Sequence, residues 1–397
     1  MKTSKLLLAG TFLIAATFFV TSCKKDDSPK DPGTSTTELL AKKVTTAPAI
    51  DGTIDASWAD CQTLTGTATV PNLANDFKWF VGESYTFKMR SMYDAANLYV
   101  LIEYADPTKS VDRMSWYFDA ATKLWKQQNK KPTSATDKFY EDKFAFLWPT
   151  ASTAAAWSST TCYHTCHAVP AGVGFDTENK HFTNSASEVV DQWHYKLVRT
   201  GPSNQIDDQM QIYIDPNAPL ATGPNGDQRV EGGRSSDPKT GTGGVADNKQ
   251  TLNNGTANVS VPKYVVPGKT GYSVITKSEI DGGTAKLITA VDANGVLTYA
   301  GGTIDPTNAG YEAATGAKRF PSIIFNGPLE GSRGDVMTFA NHTGTGWVIE
   351  IKRALTTTDL VNDIQFDVTK EYMFGFAIFE NAAVAHGIMP NLKLKFE

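Results

Sequence analysis

The sequence predicts an all-β protein, a β-sandwich with long loops and few short helices. Short stretches alternate apolar and polar side chains with the period of a half-buried strand. Gly, Pro and Asn turns separate these stretches, and helical periodicity is scarce. Many short strands divided by such turns are typical of a sandwich or barrel. The clearest strands are expected at residues 85–90, 98–102, 144–148, 193–198, 346–352, 372–379 and 392–396.

Individual segments support this class. In YTFKMR, residues 85–90, the apolar side chains of Tyr85, Phe87 and Met89 alternate with polar ones. Asn294-Gly295, between two apolar stretches, is the strongest short signal for a hairpin. Residues 201–270 are rich in Gly, Asn, Asp, Pro and Thr without clear periodicity. They are expected to form long loops around a few short strands, which could cover a ligand.

The N-terminus predicts export and a lipid anchor. Lys2 and Lys5 precede an apolar run over residues 6–20, and small residues precede Cys23. This is the pattern of a signal peptide, and the small residues before Cys23 resemble a bacterial lipoprotein box with lipid on the Cys23 sulfur. The run is shorter than the roughly 20 apolar residues of a spanning helix.

The expected parts of the chain follow from this pattern. The sequence after Cys23 is rich in Pro, Ser and Thr, which predicts a flexible tether. Asp26-Asp27 resembles signals that send lipoproteins to the outer cell surface. We expect an outer-membrane lipoprotein, periplasmic or surface-exposed, made of a signal peptide (1–22), a tether (23–43) and one domain (44–397). The chain has a net charge of −5 and no basic cluster, which argues against a nucleic-acid partner.

The most specific motif is CYHTCH, residues 162–167, in a chain with four Cys and six His in all. It is one residue longer than the haem c attachment motif C-x-x-C-H. Covalent haem through Cys162 and Cys166 with His167 on the iron is one interpretation. A disulfide is the second, and the exported compartment favours it. Zinc, with His164 as a further ligand, is the third, although four ligands within six residues would crowd one ion.

The remaining cysteine and the absence of three catalytic motifs limit the reactions that the sequence supports. With Cys23 lipidated, Cys61 is left alone and is most simply a small buried hydrophobe near Trp58. The chain contains no G-x-S-x-G, P-loop or H-E-x-x-H sequence. We therefore expect no catalytic residues.

Ten segments, spread over nearly the whole mature chain, resemble those of a known protein family. In order they are PAIDGTIDASW, KMRSMYDAANLYVLIEYADPTKS, WYFD, FYEDKFAFLWP, CYHTCH, VDQWHYKLVRTGPSNQIDDQ, EGGRSSDP, GSRGDV, GWVIEIKRAL and YMFGFAIFENAAVAHG. The chain resembles the haem-binding domain family of the gamma subunits of ethylbenzene dehydrogenase and dimethyl sulfide dehydrogenase, with their c-type cytochrome relatives. This implies a β-sandwich with haem at one end and single-electron transfer to an unknown redox partner. It also implies a protein that is not an enzyme, although it could be a subunit of an oxidoreductase.

The same resemblance implies site residues. The gamma subunits hold haem b between a methionine and a lysine, and CYHTCH stands where the methionine segment is expected. His167 would replace that methionine, and Cys162 and Cys166 would make the haem c-type, with b-type as the alternative. For the second axial ligand the resemblance points to His386, with Met389 and Lys393 behind it. Two arginines in Gly/Ser loops are candidates for the haem propionates, namely Arg234 and Arg333.

A second resemblance supplies an alternative function. IDGTIDASW, residues 50–58, resembles the start of family 9 carbohydrate-binding modules. The alternative is a surface glycan-binding lipoprotein with exposed aromatic rings and a cysteine loop away from any pocket. The tryptophans that could form such a platform are Trp116, Trp125, Trp157 and Trp193.

Overall fold

The computed structural model confirms an all-β chain with few short helices. It describes residues 32–72, 77–165, 182–214, 222–223, 226–227, 233–312 and 318–397. These belong to one compact unit, Pro32–Glu397. In this part of the chain no helix is long and apolar enough to cross a membrane. The helices within these ranges are α1 (Trp157–Thr160), α2 (Cys162–Thr165), α3 (Lys277–Asp281) and α4 (Pro306–Ala309), with 3-10 turns at Ala56–Asp60, Gly201–Ser203 and Ser332–Gly334.

The strands account for the fold. In the first half of the chain they are β1 (Thr34–Ser35), β2 (Glu38–Lys43), β3 (Thr63–Thr69), β4 (Ser84–Tyr93), β5 (Asn97–Ala105), β6 (Trp116–Asp119), β7 (Leu124–Gln127), β8 (Lys143–Pro149), β9 (Val190–Lys196) and β10 (Asp207–Gln211). The next are β11 (Thr222–Gly223), β12 (Gly226–Asp227), β13 (Arg234–Ser236), β14 (Gly244–Asp247), β15 (Gln250–Asn253), β16 (Asn258–Val261), β17 (Tyr264–Val265) and β18 (Ile275–Thr276). The last are β19 (Lys286–Val291), β20 (Leu297–Tyr299), β21 (Gly302–Ile304), β22 (Ile323–Gly327), β23 (Met337–His342), β24 (Gly346–Ala354), β25 (Tyr372–Phe379) and β26 (Gly387–Phe396).

One sheet of 13 strands folds over on itself to make the sandwich. Its order is β13-β10-β9-β8-β25-β26-β2-β4-β5-β24-β23, and β3 pairs with both β26 and β4. The far edges meet, because Ile206 N–H donates to the Val336 carbonyl and Thr338 N–H to the Asn204 carbonyl, each at 2.9 Å. The half with β8, β9 and β25 therefore faces the half with β4, β5 and β24.

The main core fills the space between the two halves. Along β8, Phe144, Phe146 and Trp148 point into it, as the alternation of a strand requires. The ring of Phe376 on β25 packs on Phe87 of β4, with centroids 4.9 Å apart, and so joins the halves. Full burial of each such ring contributes about 1.5–3 kcal/mol.

Most of the expected strands are present. Those expected at residues 85–90, 98–102, 144–148, 346–352, 372–379 and 392–396 lie within β4, β5, β8, β24, β25 and β26. The strand expected at residues 193–198 overlaps β9, which begins and ends earlier in the sequence.

The sheet includes residues before the boundary expected at residue 44. Strand β2 lies between β26 and β4, parallel to both. It is held there because Leu39 and Ala41 are fully buried in the main core. The short sequence ELLAKK gives only two inward positions, too few to stand out from the polar stretch before it.

A second core lies in the long connection between β13 and β23. Trp116, Phe118 and Trp125 of the β6–β7 hairpin pack there against residues of β16, β17, β19 and β20. The hairpin β19–β20 turns at Asn294-Gly295, where Gly295 has a φ of +81°. Short strands alternate with loops over residues 201–270, as expected for the described part of that stretch.

Candidate functional site

A solvent-open cleft lies on the outer face of β8, β9 and β25, away from the main core. The lining is mostly apolar, with a few polar groups that converge on the space. The lining residues are Ala145, Leu147, Cys162, Gln192, His194, Gln211, Arg234, Gly375, Phe376, Ala377, Phe379, Ala383, Val384, His386 and Ile388.

Strand alternation explains the floor of the cleft. Because Phe144, Phe146 and Trp148 point inward, their neighbours on β8 point outward, and Ala145 lies on that face. On β25 the outward positions hold Gly375 and Ala377. The small side chains of Ala145 and Ala377 leave room for a ligand to lie against the sheet, whereas the space over Gly375 holds the Cys162 sulfur.

His386 lies in the wall of the cleft, just before β26. Its ring is 6% exposed and packs on Phe379 with centroids 4.4 Å apart. The Nδ1–H donates to the Val384 carbonyl at 2.6 Å, which places the lone pair of the neutral ring on Nε2. Burial lowers the pKa of His386 to about 4. A neutral imidazole held by a backbone carbonyl is the usual state of a metal-ligating histidine.

His194 on β9 is a second histidine in the same wall, and the sequence analysis did not single it out. Its Nδ1 lies 3.1 Å from Gln209 Oε1, and within the described ranges its buried Nε2 has no hydrogen-bond partner. Its ring stacks on Phe379 at 5.5 Å. Burial, reinforced by Lys196 and Lys143, holds the pKa of His194 well below its usual range. We call His194 and His386 the wall histidines.

Alternation along β9 could have identified His194 from the sequence. Its neighbours Trp193 and Tyr195 both lie in the main core. Residues two apart on a strand share a face, so the apolar Trp193 and Tyr195 place His194 on the opposite, outer face. The sequence could therefore have indicated the face that His194 occupies, but not the cleft that lies there.

Cys162 forms part of the opposite boundary, at the start of α2. It packs in a small cluster with Leu147, Trp157 and Val190. The α1–α2 segment is fixed to the sheet because Trp157 Nε1 donates to the Met373 carbonyl at 2.9 Å. The Cys162 sulfur lies so close to β25 that a Cβ added at Gly375 would be 2.0 Å from it. The glycine is therefore required where Cys162 approaches the sheet.

Three basic side chains lie in or near the polar end of the cleft. Arg234 on β13 lines it. Lys143 is buried beneath it, donates to the Ala383 carbonyl at 2.9 Å and lies 4.1 Å from the Phe379 ring centroid. Lys196 pairs with Asp207 on the same side of β9 and β10. Burial holds the pKa of Lys143 well below its usual range, so Arg234 is the side chain here best suited to a ligand carboxylate.

The other predicted site residues have different surroundings. Met389 packs against the main core, while its neighbour Ile388 lines the cleft. Lys393 pairs with Glu371 at 3.0 Å. Arg333 pairs with Asp207 at 2.6 Å and is not among the lining residues. The remaining predicted positions lie outside the described residues, namely Cys23, Cys166 and His167.

Three observations concern the zinc site, the role of Cys61 and the glycan-binding platform. His164 Nε2 lies 2.6 Å from Glu188 Oε1, so this ring nitrogen is already engaged by a carboxylate. Cys61 is buried with Trp58 in a small apolar cluster. The four tryptophans considered for a glycan platform are all buried, namely Trp116, Trp125, Trp157 and Trp193.

Two solved structures show a low similarity to the chain. The chain is similar to a family 9 carbohydrate-binding module from Caldicellulosiruptor kristjanssonii in complex with glucose, at 10% identity and a TM-score of 0.31, covering 91% of this chain and 95% of that one. The same kind of module in complex with cellotriose matches at 10% identity and a TM-score of 0.30, covering 91% and 93%. At these TM-scores the likeness supports no inference about a ligand. No curated protein matches the chain.

A family match is more informative. The family described as ethylbenzene dehydrogenase matches residues 58–389, which is most of the chain. That family carries the name of an enzyme, so the expectation that this protein is not an enzyme is wrong. The match extends from Trp58 in the first 3-10 turn to Met389 in β26, and so includes β8, β9 and β25, which form the cleft. The chain belongs to the ethylbenzene dehydrogenase family.

Proposed function

We propose that this protein is a lipid-anchored, extracytoplasmic haem protein that transfers single electrons in the redox chemistry of its family. The observation that carries the proposal is the composition of the cleft. Cys162, Arg234 and His386 were selected from distant parts of the sequence, and all three line one space. A thiol, a guanidinium and an imidazole therefore converge on the same cleft.

The lining suits a haem. Ala145 and Ala377 give the floor a small apolar surface against which a porphyrin ring could pack. Arg234 suits a propionate, because a guanidinium binds carboxylates bidentately. The buried Nε2 of His194 has no hydrogen-bond partner within the described chain, so a metal would satisfy it. When bound, the haem would supply a one-electron redox couple.

The chain's own residues would hold the cofactor in a defined state. We propose covalent attachment through Cys162 and Cys166, and axial ligation by His167 and His386, with His194 as the alternative to His386. Both wall histidines are neutral at pH 7 because burial lowers their pKa values, so neither needs to lose a proton to bind iron. The Val384 carbonyl and the Gln209 side chain orient the two rings through their Nδ1 atoms.

The proposal also includes the location of the protein and its redox partner. Export would place the domain outside the cytoplasm, where haem c is attached to proteins, and lipidation at Cys23 would anchor it at the outer membrane. The tether would let the domain reach a redox partner protein. A b-type haem is the alternative to covalently attached haem c, and the experiment below distinguishes the two haem types.

The first experiment is a spectrum of residues 24–397 produced in a periplasm with haem-maturation machinery. A reduced-minus-oxidised difference spectrum should show a low-spin haem, and the haem should stay with the polypeptide after denaturation. Haem that is released would replace the covalent part of the proposal with a b-type site. A folded protein without haem would overturn the proposal and favour glycan binding.

Variants assign the ligands. His386→Ala should lower haem content or convert the spectrum to high-spin, and His194→Ala should do so instead if His194 is the ligand. His342→Ala is the matched control, since its Nε2 lies 2.9 Å from the Asp106 carbonyl and it does not line the cleft. Normal spectra from both wall variants would contradict ligation from this wall.

A further inference from the structure

A cluster of buried carboxylates lies on the side of β9 and β10 that faces away from the cleft. Asp191 alternates with the cleft-lining Gln192 on β9, and Asp208 lies opposite Trp193 in the β9–β10 register. The other members follow β13 or lie in the loop between β24 and β25. We call this set the acidic cluster, and it consists of Asp191, Asp208, Asp237, Asp359 and Asp363.

The charge of the acidic cluster is poorly balanced. Arg353 is fully buried beside it, with one guanidinium nitrogen 3.2 Å from Asp363 Oδ2 and 3.9 Å from Asp191 Oδ2. Among the ion pairs of the described ranges, no other Lys or Arg reaches these carboxylates. One guanidinium cannot neutralise five acids, and a buried uncompensated charge is costly.

Several carboxylate oxygens also lack a hydrogen-bond donor. In the described chain no N–H or hydroxyl group donates to Asp191 Oδ1, to Asp208 Oδ2, or to either side-chain oxygen of Asp237, and neighbouring acids approach them. These three side chains are all more than nine-tenths buried. Buried polar atoms without a partner are unusual in proteins, so these oxygens point to a ligand.

The spacing of the oxygens fits a metal ion. Ligand oxygens of Asp191, Asp208 and Asp363 lie within 4.8 Å of one another, and the same holds for Asp237, Asp359 and Asp363. Calcium binds oxygens at about 2.3–2.6 Å, so ligands on opposite sides of the ion are about 5 Å apart. We infer that the acidic cluster is a calcium site, separate from the haem cleft, with Asp363 as the ligand common to both groups.

Protonation is the competing way to neutralise the cluster. Burial raises the pKa of Asp191 to about 7, and burial with neighbouring acids raises the pKa of Asp237 to about 9. The ion would link β9, β10 and the segment after β13 to the β24–β25 loop, and thereby fix one rim of the sandwich.

The test uses residues 24–397 and two direct probes. Terbium, a calcium substitute, should emit on tryptophan excitation because Trp193 Nε1 donates to Asp191 Oδ2 at 3.3 Å. Excess Ca²⁺ should quench that emission. Ca²⁺ should also raise the unfolding temperature of EDTA-treated protein. Absence of both terbium emission and any Ca²⁺ effect on unfolding would overturn the calcium site.

Variants locate the ion. Asp363→Asn removes the shared ligand and should abolish the terbium signal and the Ca²⁺-dependent rise in unfolding temperature. Asp367→Asn is the matched control, because Asp367 is an exposed acid of the same loop. An unchanged Ca²⁺ response in Asp363→Asn would contradict the assignment. Should that variant fail to fold, the terbium signal of the wild-type protein decides the question by itself.

Discussion

The wall histidines show how burial of a single residue prepares a metal ligand. An exposed histidine is half protonated near pH 6.5, and a proton on the ring competes with a metal. His386 avoids this because its ring lies between Phe379 and Phe77, where the charged form is poorly solvated. His194 avoids it through burial beside Lys143 and Lys196.

The lowered pKa of His386 predicts a pH dependence of stability. The folded pKa of about 4 lies below the unfolded value of 6.5, so the unfolded chain binds more protons between those values. The contribution of His386 to stability is therefore present above pH 6.5 and lost as the pH falls towards 4. The shift corresponds to about 3 kcal/mol.

The variant His386→Gln tests this dependence, because its amide can still donate to Val384. Between pH 7 and pH 4, the unfolding free energy of the haem-free wild type should fall by about 3 kcal/mol more than that of the variant. Urea denaturation at both pH values measures the difference. Equal losses would show that His386 is not held neutral by the fold.

Among the strands, β25 contributes to the core with one face and to the cleft with the other. Its inward row is Phe374, Phe376 and Ile378, and all three side chains lie in the main core. The outward row includes Gly375, which leaves room for the Cys162 sulfur. The strand thus stabilises the sandwich and also sets the position of α2.

Substitution of that glycine should displace α2. In Gly375→Ala the new methyl group would overlap the Cys162 sulfur, and relief of such overpacking costs about 1–3 kcal/mol. We expect a lower unfolding temperature and weaker haem retention. Cys162→Ala added to Gly375→Ala should recover the unfolding temperature, and failure to recover would place the strain elsewhere.

Across the domain, closure of the folded sheet depends on a few contacts between residues far apart in the chain. Gln205, just before β10, donates to the Leu329 carbonyl at 2.9 Å and to the Gly334 carbonyl at 2.8 Å. Its Oε1 accepts from Leu329 N–H at 2.8 Å. The Gln205 side chain therefore holds the loop before β23 against the segment that leads into β10.

Removal of this tie should destabilise the entire domain. Gln205→Ala loses three hydrogen bonds, each with a net contribution near 1 kcal/mol, so the unfolding free energy should fall by about 2–3 kcal/mol. Gln127→Ala is the control, since Gln127 donates one long bond of 3.3 Å to the Met114 carbonyl. Equal effects of the two changes in urea denaturation would contradict a special role for the closing contact.

Local features of this protein could be predicted from its sequence. Period-two alternation identified β4, because its inward side chains are apolar, and apolar runs bounded by turn residues identified β8 and β25. Asn294-Gly295 identified a hairpin, because few other pairs adopt its backbone. Cys162 was selected from the CYHTCH motif, Arg234 from its position in a Gly/Ser loop, and His386 through the family resemblance.

Which of these residues meet depends on the three-dimensional fold. Strand β2 joined the sheet through two buried side chains, a signal too short to recognise in the sequence. His194 and the acidic cluster escaped the sequence analysis because their members are ordinary strand and loop residues until β9, β10 and the β24–β25 loop come together. Distances between residues hundreds of positions apart depend on how the sheet folds over. The alternation of a strand indicates which face a residue occupies, but not what lies across from it.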